Sequence, residues 1–175
     1  MADAKTGSLR ERREAVVREH MESENHHDFD VTIDTFEHPR YELVATGEVY
    51  DGEAEVRAYY AETRAAFPDQ RNELISLRHS EDSVIVEFDL LGTHLGRLRS
   101  LPPTGRSFRA RMCAFFIFED DRIVCERVYF DQASILAQLG LAHEPTSLTG
   151  RLSTLVTHPV TIGTAFARAA LRQNN

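Results

Sequence analysis

Several common routes to function are missing from this chain of 175 residues. No apolar run approaches the roughly 18–20 residues of a membrane span. Residues 1–14, MADAKTGSLRERRE, lack the apolar centre of a secretory signal, so a cytoplasmic protein is expected. Positive charge is scarce. Only 20 Lys and Arg stand against 28 Asp and Glu, and the formal net charge of −8 argues against nucleic acid or a membrane as the main partner. The two cysteines, Cys113 and Cys125, fall in strand-like runs with no metal-type spacing and read as reduced packing thiols. Neither a dinucleotide fingerprint nor a phosphate loop occurs, which excludes the usual nucleotide cofactors. His26, His27, Asp28 and Asp30 resemble metal ligands in composition only. Adjacent histidines at a helix end diverge and no distant partner is evident, so no metal is expected.

What remains is sufficient for one domain. Hydrophobic residues make up 42% of the chain and charged residues 27%, the balance of a globular fold with a true core. Ser8 followed by Glu11 is a capping-box pattern that opens a helix running to about Asn25, with Val17, His20, Met21 and Glu24 on one face. A short helix near Asp30 turns Phe29, Ile33 and Phe36 inward and stops by Pro39. Residues 41–50 read as a short strand or loop. Asp51 is expected to cap a third helix carrying Val56, Tyr59, Tyr60 and Phe67, ended by Pro68. The period then changes from helical to alternating, giving strands over 72–79, 83–91, 106–118 and 122–131. Helices first and antiparallel strands afterwards define an α+β fold.

The last hairpin decides which side chains face inward. A two-residue loop would set Met112, Ala114 and Phe116 beside Arg127 and Tyr129. A three-residue loop, with Asp121 in the left-handed position, sets them beside Val124, Glu126 and Val128. Only the second register gathers the apolar sides of both strands on one face, so it is preferred. Glu126 then lies on the buried side with Val128 and Phe130. There, loss of water raises a carboxyl pKa and suits it to acid/base work, unless an arginine neutralises it. Glu24 and His20, one turn apart on the first helix, are a candidate proton-transfer pair or simply rim residues. His94 is in phase with Phe88 and Leu90 and is either a further acid/base group or a buried structural histidine. Tyr41 and Tyr50 are candidates for the pocket mouth. Asp131 reads as the cap of a following helix, and Arg109 and Arg111 as outer-face residues.

Four segments, HPRY at 38–41, YDGEAEV at 50–56, GTHLGRLRSLPPTGRSF from Gly92 and DQASILAQLG from Asp131, together resemble the SnoaL-like polyketide cyclases. That family sits in the cone-shaped superfamily of nuclear transport factor 2 and the ketosteroid isomerases, and the resemblance spans roughly residues 10–141. It implies a curved antiparallel sheet wrapped around a pocket, three covering helices, frequent dimerisation through the outer sheet face, and chemistry without a cofactor. It also implies a pocket lined by Met112, Ala114, Phe116, Val128, Phe130, Phe88, Tyr41 and Tyr50. The departures are specific. The cyclase's acid/base aspartate falls on Val128, its histidine on Ala114, its glutamine on Met112, and its asparagine on or beside Leu43. None of these side chains can transfer a proton. Glu126 is the nearest substitute.

The chain is thus expected to comprise a cone-fold domain over 8–141 and a helical extension over 142–175. The extension carries Arg151, Arg168 and Arg172. It is expected to lie across the pocket mouth or on a partner subunit, with a membrane surface the weaker option for only three cations. The leading functional reading is acid/base chemistry on a small apolar, ring-containing or polyketide-like molecule, of isomerase, lyase or hydrolase type. A non-catalytic carrier or sensor of a lipophilic ligand is the alternative, favoured by the lost polar trio. An enzyme needs polar groups converging on a pocket near Glu126, whereas a carrier needs a dry cavity.

Overall fold

The structure, a computed structural model, describes residues 7–143 and 146–173. Helix α1 spans Leu9–Asn25 and opens on the expected capping box, with Ser8 and Glu11 each accepting from the other's amide. It buries Val17, His20 and Met21. Helix α2 spans Phe29–Asp34, capped by Asp28. Residues 41–50 resolve into a hairpin, β1 Arg40–Leu43 and β2 Glu48–Asp51. Helix α3, Glu53–Ala66, is capped by Gly52 at φ 96° and not by Asp51. The Asp51 carboxylate instead pairs at 2.6 Å with both His38 and Arg40.

Strands β3 Arg71–His79, β4 Ser83–Thr93, β5 Ser107–Glu119 and β6 Arg122–Phe130 follow. The six strands form one curved, unclosed sheet in the order β2-β1-β6-β5-β4-β3, antiparallel except where β1 runs parallel to β6. Helix α4, Gln132–Gln138, is capped by Asp131, and α5 Leu148–Thr157 and α6 Pro159–Gln173 end the described chain.

The β5–β6 register is the one that gathers the apolar faces, but it arises differently from the expectation. Glu119 pairs with Arg122 across a two-residue loop, and Asp120, not Asp121, takes the left-handed backbone at φ 50°. The extra residue sits in the strand instead, as a bulge at Val124 between the pairs Phe118–Ile123 and Ile117–Cys125. Beyond it, Phe116 opposes Glu126 and Ala114 opposes Val128. Placing the insertion in the strand lets Ile123, not Val124, enter the core. The first turn of α1 holds this loop in place, with Arg13 donating to the Asp120 carbonyl at 2.7 Å and Arg12 to the Asp121 carboxylate at 3.0 Å.

The core lies between the concave sheet face and α1–α3. Strand β5 alternates strictly and buries Phe108, Ala110, Met112, Ala114, Phe116 and Phe118. Burying several large side chains at about 1.5–3 kcal/mol each makes this face the main source of stability. Gly96 fixes the β4–β5 connection to the end of α3. A Cβ there would lie 1.8 Å from the Ala65 carbonyl oxygen, so any larger residue would push the connection away.

Candidate functional site

A cavity of about 400 Å³ opens between the sheet and helices α3 and α4. Leu43, Leu90, Phe108, Met112, Val128 and Phe130 form its hydrocarbon wall. Tyr50 stands at the mouth, where Arg99 ion-pairs with Glu48 and reaches Glu62 at 3.5 Å. Arg99 has a left-handed backbone, φ 54°, in a tight turn that brings Leu98 and Leu101 to the rim. Ladder geometry explains the wall: Met112 opposes Phe130, and Val128 opposes Ala114 on the same concave face.

Beneath that wall lies a second, polar layer. His20 is fully buried, with Nδ1 2.9 Å from the Thr35 hydroxyl and Nε2 2.9 Å from the Tyr41 hydroxyl. Thr35 donates its own proton to the Thr32 carbonyl at 2.6 Å, so its oxygen accepts from His20 and Nδ1 must carry a hydrogen. The carboxylate of Glu126 lies 3.2 Å from Nε2, off the line of the hydrogen bond, and is 7% exposed. Among the described residues its Oε2 has no hydrogen-bond partner. Burial lowers the His20 pKa, but Glu126, with help from Glu24 and the Thr32 backbone, more than reverses this, so the imidazole holds its proton above the ordinary range. As an imidazolium it donates to both Thr35 and Tyr41, and Tyr41 passes its proton toward Tyr60 at 2.5 Å. With Nε2 deprotonated, that ring nitrogen becomes an acceptor and the tyrosine pair reverses direction. One proton therefore sets the polarity of the Tyr41–Tyr60 pair, while Thr35 keeps its direction in both states.

Glu24 and Arg64 complete the layer. Glu24 accepts from Asn72 Nδ2 at 2.6 Å and lies 3.7 Å from the Arg64 guanidinium, which stands over the Phe29 ring. Burial raises the Glu24 pKa; Arg64 opposes that shift and Glu126 adds to it. Two acids and two bases thus share a dry interior, where leaving any one unpaired is costly.

Tyr59 links the two layers. It borders the cavity, packs at a tilt against Tyr50 with ring centres 4.8 Å apart, and lies 5.7 and 5.9 Å from the Tyr41 and Tyr60 rings. Burial, then the charges of Glu24 and Glu126, push its pKa up, which keeps the phenol protonated as a donor. The separation between layers is small. Val128 is two residues from Glu126 along β6, about 7 Å, and the side chain across from it is the methyl of Ala114.

The structure brings together Glu126, Glu24 and His20 but leaves them one side chain outside the cavity. Met112, Val128, Phe130 and Tyr50 border the cavity; Ala114, Phe116, Phe88 and Tyr41 are buried without reaching it. Phe116 and Tyr41 instead pack around His20. His94 is elsewhere. Val84 is level with Phe116 and Glu126 across the ladders, and His94 lies ten residues further along that strand's path, roughly 30 Å at strand rise. It is buried against Phe67, and its Nδ1 accepts from the Thr104 amide at 3.3 Å. Sequence reasoning missed Arg64, Asn72 and Thr35, and gave Tyr59 and Tyr60 no role beyond packing. The spacing Val56, Tyr60, Arg64 does carry a signal, since steps of four place a cation on the buried stripe of α3.

On the outer face, Arg109 and Arg111 both engage Asp89. Among the described residues no three His, Cys, Asp or Glu side chains are placed to hold a metal, and the two cysteines are unpaired. His27 contacts the Gln70 carbonyl, Asp28 caps α2 and Asp30 pairs with Arg57.

Known proteins give the fold a context. IdmH from Streptomyces antibioticus, described as a candidate polyketide cyclase, is 25% identical, with 73% of this chain and 98% of that one covered at a TM-score of 0.63. A candidate polyketide cyclase from Xanthomonas campestris is 19% identical, with 75% and 99% covered at a TM-score of 0.69. AclR from Streptomyces galilaeus, described as a candidate hydroxylase, is 22% identical, with 76% and 98% covered at a TM-score of 0.65. No curated protein matches the chain. The sequence model of the SnoaL-like polyketide cyclases matches residues 14–139, and the chain belongs to that family.

Proposed function

We propose that this protein performs cofactor-free acid/base chemistry on a small, apolar, ring-containing molecule of polyketide-like character. The observation that carries the reading is the His20–Glu126 pair at 3.2 Å, held dry one side chain from a hydrocarbon cavity. A buried histidine whose proton is held by an adjoining carboxylate beside a cavity is more typical of proton transfer than of packing. Tyr59 would donate to a carbonyl or hydroxyl oxygen of the ligand, and the buried pair would take up or supply the proton. Reaching it requires the partition at Met112 and Val128 to open, which the flexible thioether of Met112 favours.

A second reading, a carrier or sensor, draws on a specific observation. Leu43, Met112 and Val128, where the cyclase pattern has polar groups, present only hydrocarbon and a thioether to the cavity. We further propose a homodimer through the outer sheet face, in keeping with the family, and a cytoplasmic location. Among the described residues no helix is long and apolar enough to cross a membrane.

Hydrogen–deuterium exchange at the α-carbon of an apolar bicyclic ketone in heavy water separates the two readings. The enzyme reading expects acceleration by the wild type and a loss on the order of a hundredfold in both Glu126→Gln and Tyr59→Phe. Unchanged exchange in Glu126→Gln would remove the mechanism. Tight ketone binding with no exchange would favour the carrier.

A further inference from the structure

Helices α5 and α6 hold their large apolar side chains in solvent. Leu148, Leu152 and Val156 on α5 are 85%, 65% and 72% exposed, and Val160, Phe166 and Leu171 on α6 are 77%, 69% and 70% exposed. Among the described residues, none beyond Leu141 joins the hydrophobic core. At 100° per residue the polar arc of α6 over residues 159–172 is narrow, made of Thr161, Thr164, Arg168 and Arg172, and the wide remainder of that span is apolar or small. On α5, Leu148, Leu152, Leu155 and Val156 share one side, and serines and threonines dominate the other. Residues 145–175 contain Arg151, Arg168 and Arg172 and no Asp or Glu. The whole acidic excess of the protein therefore belongs to residues 1–144.

We propose that α5 and α6 dock on the surface of an anionic lipid bilayer, lying in the interface with their apolar faces down. Three observations converge on a bilayer. The apolar arcs are broad and continuous, whereas the rest of the protein exposes only scattered partners such as Val44, Val49 and Leu95. A bilayer buries a broad arc without needing shape complementarity, and arginines beside that arc meet lipid phosphates. The three charged side chains of the segment are all cationic, although the net charge of the whole chain disfavoured a membrane partner. Finally, the helices leave the domain at the cavity rim: Ile135, Leu136 and Leu139 line the cavity, and Leu141 packs against the core just before the segment departs. Docking would hold the mouth close to lipid, from which an apolar ligand can enter without crossing water. Only this last consequence rests on the ligand class proposed above.

Flotation of the full-length protein tests the idea, using vesicles of phosphatidylcholine alone and of phosphatidylcholine with phosphatidylglycerol in equal parts. The wild type should float with the anionic vesicles about tenfold more than with neutral ones, and high salt should reduce the difference. The double variant Leu152→Glu/Phe166→Glu should stay at the bottom of the gradient. Its circular dichroism and its ketone exchange should match the wild type, which distinguishes loss of docking from loss of the fold or of the cavity chemistry. Absence of wild-type flotation, or equal flotation of the double variant, would overturn the proposal. So would a lipid-independent dimer that the same double variant dissolves, because a second copy would then be what covers these faces.

Discussion

On the outer face of the sheet, Asp89 holds Arg109 at 2.7 Å and Arg111 at 2.6 Å, while the two arginine side chains stay 57% and 58% exposed. On the inner face, Glu126 stands 3.2 Å from His20 with the two side chains 7% and 1% exposed. The sheet thus carries charge on both faces, and the difference lies in the partners, solvent-exposed arginines outside and a buried imidazole inside. Outside, the two guanidinium groups stand in solvent over an Asp89 side chain that is itself only 6% exposed, so only the arginine half of each pair is screened, and Arg111 and then Arg109 hold that carboxyl below the usual range. Inside, each charge depends on its neighbour. A dry interior keeps such a pair only when the rest of the structure enforces it.

The sharpest way to break this contrast is to neutralise the inner acid. Glu126→Gln should lower the unfolding free energy by about 2–3 kcal/mol in urea denaturation. That is less than a broken permanent ion pair, because His20 can shed its proton. A change below about 0.5 kcal/mol would mean that the two groups do not depend on each other.

Acidity sharpens the comparison next. His20 binds its proton more tightly in the folded than in the unfolded protein, so protonation favours folding. That stabilisation is complete below the ordinary histidine value of about 6.5 and disappears as pH rises through the higher folded value. The stability of the wild type against thermal unfolding should therefore fall as pH rises above about 6.5, by about 1.4 kcal/mol for each unit of elevation. His20→Gln should remove that slope, and a persisting slope would assign it to another group. Glu24, whose pKa burial also raises, loses stabilisation in the same direction but from a lower starting pH.

The smallest effect is expected outside. Arg111→Ala should cost under about 1 kcal/mol, and less at high salt, because Arg109 still serves Asp89. That small cost applies to the single subunit, at concentrations where the proposed dimer is dissociated; a larger, salt-independent loss at higher concentration is the outcome expected if the dimer covers Arg111. Sedimentation of the same variant reads that directly.

The sequence alone determined the framework. Strict alternation from Phe108 to Phe118 is a property of neighbours along the chain, and the capping box at Ser8 and Glu11 and the cap at Asp131 are contacts within four residues. Such signals are local, so they survive in one dimension. The inward direction of Glu126 was also legible, because a one-residue slip would have turned every apolar neighbour outward. Tertiary structure decided the rest. It placed the insertion at Val124 and not in the turn, since only the finished sheet shows which of Ile123 and Val124 fills the core. It joined Glu126 to His20, Tyr41 and Tyr60 across separations of tens of residues, which no spacing records. It set Val128 and Met112 between that cluster and the cavity, and left His94 just past the far end of β4. Alternation tells which side of a strand a residue occupies. How far along the cone it lies, and what it meets there, follows only when distant strands and helices close on one another.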